Sequence, residues 1–192
     1  MFSLQSLELS TLSSLYMERI AKDFPANERP PLPALRTLLA EGVCQAWVLM
    51  QQEQPAAYAI TATEGADVLV THLAVFQERR GGGIGSALLA QLAAQFAAKR
   101  ALIIEVEDPA YATSAPEKVL RIRRIAFYQR AGFQRLPAVR YTLFGVALHL
   151  MALPLQGPIE AVSENIVAIM QACYLPLLPP DLYPQMQVAR VE

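Results

Sequence analysis

Charge is scarce in this chain of 192 residues. Asp, Glu, Lys and Arg make up 17 % of it, and they sum to a net charge of −1. A chain this close to neutral has no general pull on nucleic acid or on an anionic lipid surface, so any polyanion it holds must be gripped locally. Cysteine is scarcer still. Cys44 and Cys173 stand far apart, without the spacing of a redox or zinc pair, and read as buried thiols rather than a disulfide. No metal-ligating constellation is visible, so no metal is expected. No uninterrupted apolar run approaches the roughly 18 residues of a membrane span. The first nine residues lack a basic region and an apolar core, so no signal peptide is visible. A soluble, cytoplasmic protein is the default expectation.

What is abundant is apolar: 54 % of the residues. With so few charges, some of that apolar surface must be hidden, in the core or between subunits. The length suggests one domain with some extra chain. The patterning predicts a short strand over 2–9, helices over 11–23 and 34–42, paired strands over 46–50 and 57–63, and a longer strand over 67–76. A helix over 84–99 presents Ile84, Leu88, Leu89, Leu92 and Phe96 on one face. A strand over 101–107 follows. Strand, helix and strand of this length make a right-handed crossover, so the two strands should run parallel. Ser114-Ala115-Pro116-Glu117 is a capping box that opens a helix to residue 131, closed by Gly132 with Phe133 as its apolar follower. Strands over 139–144 and 147–153 complete the sheet. A helix over 159–174 and a proline-rich tail end the chain. Val162, Ile166, Ile169 and Cys173 share a face of that helix, which must dock on the domain or on a partner subunit. The domain organisation expected is 1–156 as the main domain and 157–192 as this docking piece.

Between the strand over 67–76 and its helix stands Arg80-Gly81-Gly82-Gly83-Ile84-Gly85-Ser86. Glycines remove side chains where backbone N–H groups crowd together, and the helix dipole adds positive potential at the same spot. Arg80 contributes a planar fork of donors. This is a phosphate cradle and implies a nucleotide-like ligand. A dinucleotide fingerprint would want Gly or Ala where Leu88 or Ser86 stands.

The Arg-x-x-Gly-x-Gly of residues 80–85, preceded by His72-Leu73-Ala74-Val75, fits better when taken with Ala126-Phe127-Tyr128-Gln129-Arg130-Ala131-Gly132-Phe133. The two segments resemble the acetyl-CoA-binding motif and the Phe-Tyr-x-x-x-Gly-Phe motif of the GNAT superfamily of N-acetyltransferases. The resemblance covers about 67–133. It implies an α/β fold with a twisted mixed sheet, splayed parallel central strands and helices on both faces. It also implies that backbone groups of Leu73, Ala74 and Val75 bond the pantetheine arm of acetyl-CoA, while amides from Gly81, Gly82, Gly83, Ile84, Gly85 and Ser86, with Arg80, hold the diphosphate. Tyr128 matches the tyrosine that protonates the departing thiolate in many relatives. Glu105, in Ile104-Glu105-Val106-Glu107, matches the base of ribosomal-protein acetyltransferases.

Alternation puts Glu105 and Glu107 on one face of their strand. Arg121, Arg124 and Tyr128 fall on one face of the next helix. Three roles therefore stand open for the two glutamates: base, amine anchor, or partners in a Glu–Arg brace. The stretch 108–117, with Tyr111, is longer than in relatives with this strand, and an asparagine those relatives carry is missing. It is read as a lid or a longer cap. His72 points away from the face of Leu69, Thr71 and Leu73 and reads as a satisfied sheet histidine. His149 has no identifiable partner. The implied activity is acetyl transfer from acetyl-CoA to a primary amine, a small molecule rather than a protein, by direct attack in a ternary complex. The acceptor wall is expected from 22–29 and 108–117. A non-catalytic acyl-CoA sensor, a transferase of a larger acyl group (the small Ala74 leaves room) and a homodimer remain open.

Overall fold

The computed structural model describes residues 1–191. They fall into two compact units, Met1–Ala62 with Val70–Gln95, and Thr63–Leu69 with the chain from Phe96 onward.

In the first unit β1 (Phe2–Ser6), β2 (Cys44–Gln51), β3 (Gln54–Glu64) and most of β4 (Asp67–Val75) lie in that order. β1 is antiparallel to β2, with Phe2 opposite Gln51 and Ser6 opposite Trp47. β2 is antiparallel to β3, with Cys44 opposite Ala62. Gln52 and Glu53 make the turn between them at φ 50° and 64°. Both residues are left-handed, the hairpin geometry whose twist matches the strands. Residues 56–62 are all buried. Successive side chains point to opposite faces, so an unbroken buried run means β3 is covered on both.

Helix α1 (Leu12–Leu15) runs through a π-helical turn (Tyr16–Ile20) into α2 (Ala21–Asp23), where periodicity predicts one helix. Buried Tyr16 anchors this bulge, donating from its hydroxyl to the Pro30 carbonyl at 2.9 Å. α3 (Leu32–Ala40) follows. In α4 (Ile84–Gln95) the predicted face holds: Ile84, Leu88, Leu89 and Leu92 are buried. The helix stops before the expected residue 99. Lys99 N–H instead closes a turn on Phe96 at 2.8 Å, and the Gln156 side-chain amide takes the Ala97 carbonyl at 2.8 Å.

In the second unit β5 (Ala101–Glu107) pairs antiparallel with β8 (Val146–Pro154). β8 also pairs with β6 (Gln134–Arg135) and β7 (Val139–Leu143). Beyond β7 lies β9 (Met186–Arg190), antiparallel, with Tyr141 opposite Val188. The proline-rich tail thus contains a strand that the patterning does not predict. α5 (Ala115–Arg130) begins at Ser114, whose Oγ accepts from Glu117 N–H at 3.3 Å, and ends on Gly132 at φ 93° with Phe133 buried behind it. α6 (Ile159–Tyr174) lays Val162, Ile166, Met170 and Cys173 into a core with Leu69, Ala101, Ile103, Leu150 and Ala152. The apolar face of α6 is thus filled by its own unit rather than left for a partner. Both cysteines are free and buried. Among the described residues no helix is long and apolar enough to cross a membrane.

Candidate active site

The glycine turn belongs to the first unit. Gly81, Gly82 and Gly83 sit at φ 98°, 59° and 76°, and a Cβ added to any of them would meet nothing within 4 Å. These glycines are required by backbone conformation, and the space beside them is not filled by protein. The first backbone bond after the turn runs from Ala87 N–H to the Gly83 carbonyl at 2.9 Å, and among the described residues no amide from Gly81 to Ser86 donates to a backbone carbonyl. A cluster of unspent donors at a helix start is what an anion needs.

Side chains hold this turn from behind. Exposed Arg80 donates from Nε to the Val75 carbonyl at 3.4 Å and lies 3.7 Å from Asp23 Oδ1. Asp23 also accepts from the hydroxyl of fully buried Tyr58 at 3.1 Å. Burial, then the nearby Asp23 charge, pushes the Tyr58 phenol far above its ordinary range, so it stays a donor. One residue pair further back, the Arg19 fork grips Glu78 at 2.9 and 2.6 Å while its guanidinium lies 4.0 Å over the Phe76 ring. The hydrogen bond to Arg19 lowers the Glu78 carboxyl pKa. Tyr58, Asp23 and Arg19 were not picked out from the sequence. The available signal was a tyrosine within a fully apolar strand run, which must find an acceptor when buried.

His72 is buried. Its Nε2 lies 3.1 Å from the Glu28 carbonyl and its Nδ1 3.0 Å from Thr71 Oγ1. A neutral ring donates at Nε2 and accepts at Nδ1, and burial lowers its pKa. Phe24 meets the ring edge-on at 4.8 Å. A cavity of about 440 Å³ in the same unit is lined by Leu7, Glu8, Leu15, Glu18, Val48 and Phe76 among others. Residues 22–29, the expected acceptor wall, do not line it.

The remaining candidates belong to the second unit. Tyr128 is half-buried, its ring edge-on to Phe127 at 5.0 Å and Phe133 at 5.7 Å. Burial raises its phenol pKa, more than nearby Arg124 lowers it. It is therefore protonated in neutral water, and no described residue hydrogen-bonds its hydroxyl.

Glu105 and Glu107 share a face but not their partners. The expected brace of Arg121 and Arg124 serves Glu107 alone: Arg121 lies 3.0 Å from it, and Arg124 bonds its other oxygen. Arg121, buried, also reaches Glu117 at 2.7 Å and the Asp108 carbonyl at 2.8 Å. It thus ties down the stretch 108–117, inside which Thr113 donates twice to Glu117. Tyr111 stands exposed at the short 3₁₀ turn Pro109–Tyr111. His149, left without a partner on the sequence, lies 3.3 Å from Asp108.

Half-buried Glu105 accepts instead from two tyrosines. The Tyr174 hydroxyl lies 2.8 and 2.9 Å from its two oxygens, and the Tyr141 hydroxyl bonds Oε1. Burial raises the Glu105 pKa, and these two hydrogen bonds oppose that rise. Neither tyrosine was singled out from the sequence, because each lies far along the chain from Glu105. Among the described residues no cluster of His, Cys, Asp and Glu could hold a metal.

Residues 42–135 match the family described as acetyltransferase (GNAT) domain. No curated protein matches. Among solved structures, a protein assigned to the GNAT family of acetyltransferases from Bacteroides thetaiotaomicron superposes with a TM-score of 0.73 at 23 % identity, covering 88 % of this chain and 96 % of that one. The ribosomal-protein-S18-alanine N-acetyltransferase of Escherichia coli gives 0.58 at 24 % identity, covering 82 % and 96 %. A dodecameric spermidine N-acetyltransferase from Vibrio cholerae gives 0.59 at 10 % identity, covering 80 % and 94 %. At these identities the likeness concerns the fold: a mixed α/β arrangement of mostly antiparallel strands with helices.

Proposed function

We propose that this chain, whose residues 42–135 match an acetyltransferase (GNAT) domain, moves an acetyl group from acetyl-CoA to a primary amine by direct attack. The observation that carries the donor half is the row of unspent amides from Gly81 to Ser86 beside left-handed glycines. Those amides and Arg80 would hold the diphosphate. The loose pair of Arg80 with Asp23, at 3.7 Å on an exposed side chain, exchanges readily for a phosphate oxygen. Backbone groups of Leu73, Ala74 and Val75 would bond the pantetheine arm. Acetyl-CoA supplies an activated thioester carbonyl.

The chain's own groups manage protons. An alkylamine with a pKa near 10 is neutral in only about one molecule per thousand at neutral pH. Glu105 would take the excess proton, directly or through water, so that the nitrogen lone pair can form the new C–N bond as the C–S bond breaks. Tyr128 would give its phenolic proton to the departing thiolate. Its hydroxyl is protonated and uncommitted, which supports that role. The acceptor is read as a small molecule, and the Glu105 carboxylate, which no cation answers among the described residues, favours a cationic amine.

Thiol release from acetyl-CoA across a panel of primary amines tests this. Release should depend on the amine and fall about 100-fold in Tyr128→Phe, the usual weight of general acid catalysis. Tight coenzyme A binding without release for any amine contradicts an enzyme and describes a sensor.

A further inference from the structure

Glu105 lies on a strand otherwise buried and apolar from Ala101 to Val106. Two phenols from elements remote in sequence converge on it. Tyr141, on β7, is 2 % exposed, and Tyr174, at the last turn of α6, is 5 % exposed. Tyr174 reaches both carboxylate oxygens, at 2.8 and 2.9 Å, while Tyr141 bonds Oε1 only. Each hydroxyl therefore serves the carboxylate, and Oε2 is left with the more open lone pairs.

The groups around the carboxylate supply no competing charge. On its own strand Glu107 is neutralised by Arg121 and Arg124 of α5. Tyr128, on the same helix, is protonated. On β8, His149 is taken by Asp108. Asp67, at the start of β4, is paired with Arg100. Cys173, beside Tyr174 on α6, has a thiol pushed up to about 12 by burial and is neutral. The two tyrosines are thus the described groups that answer the Glu105 charge.

We propose that Tyr141 and Tyr174 are positioning residues that keep the Glu105 carboxylate ionised and turn Oε2 toward the proton it accepts, which makes α6 part of the catalytic apparatus. This rests on Glu105 being the proton acceptor of the transferase. Both tyrosines lie outside the matched segment 42–135. A hydrogen bond to the ionised form lowers a carboxyl pKa, and removing one raises it.

The test uses the full chain as wild type, Tyr174→Phe, Tyr141→Phe and Glu105→Gln. Carboxyl-labelled glutamate is titrated by NMR, with the Glu105 signal assigned by its loss in Glu105→Gln. In parallel, the pH profile of kcat is taken for acetyl-CoA with the most active amine of the panel. Tyr174→Phe should move the Glu105 titration up by about one pH unit. The acid limb of kcat should move with it, and the KM for acetyl-CoA should stay unchanged. Fluorotyrosine at 174, a stronger donor of the same shape, should move both down, and it replaces Tyr174→Phe should that variant fail to fold. An unmoved Glu105 titration overturns the proposal whatever the base proves to be. An unmoved acid limb in Tyr174→Phe, where Glu105→Gln abolishes that limb, overturns it as well. A limb unchanged in Glu105→Gln overturns instead the reading of Glu105 as acceptor, and the catalytic meaning of the tyrosines falls with it.

Discussion

Burial sets the charge state of single residues here, and His72 shows the consequence for stability. Its ring is neutral in the folded chain because desolvation outweighs the hydrogen bond to the Glu28 carbonyl. The folded pKa lies below the unfolded value of about 6.5, so below that pH the unfolded chain binds a proton the folded chain resists. Stability contributed by the neutral ring is present above that pH and lost as pH falls. His149 is shifted the same way, first by burial, whereas raised Glu105 acts in the opposite sense, favouring the fold as pH falls. Urea unfolding between pH 8 and 5 should therefore show a slope, at most about 1.4 kcal/mol per pH unit for one proton. The slope should be shallower in His72→Gln. A slope unchanged by that substitution contradicts a buried neutral ring.

Among elements, the β2–β3 hairpin carries a cost with no function attached. Gln52 and Glu53 both hold φ above zero, and left-handed backbone costs an L residue roughly 1 kcal/mol. Asn and Gly at these two positions should stabilise the chain by about 1 kcal/mol and raise the melting temperature by about 2–4 °C. Thermal unfolding checks this, and an unchanged or lower midpoint contradicts it. Elements with strong local signals were legible: β5 and the capped α5 stand where periodicity and capping chemistry place them. Two kinds of feature were not. The π-helical turn at Tyr16–Ile20 answers to Tyr16 bonding Pro30, a contact fourteen residues away. β9 exists because β7 offers it an edge 51 residues earlier, as Val139 opposite Arg190 shows. Neither partner can be seen in a local window.

For the molecule as a whole, the near-neutral charge means that ligand affinity must come from a built site rather than from a field. The glycine turn was legible because its chemistry is written in consecutive residues. The surroundings of Glu105 were not, because Tyr141 and Tyr174 reach it from strands and helices distant in sequence. The acceptor is less legible still, since a fold hosts many acceptors around one donor site. The most direct measurement compares coenzyme A with pantetheine, which lacks the diphosphate, by calorimetric titration of wild type and Gly82→Val. A side chain at φ 59° strains the turn and fills the open space beside it. Wild type should bind coenzyme A at least about tenfold more tightly than pantetheine, a difference of roughly 1.4 kcal/mol, and Gly82→Val should lose that advantage. Equal affinity for the two ligands, or an advantage that survives the substitution, would contradict a diphosphate held on these amides.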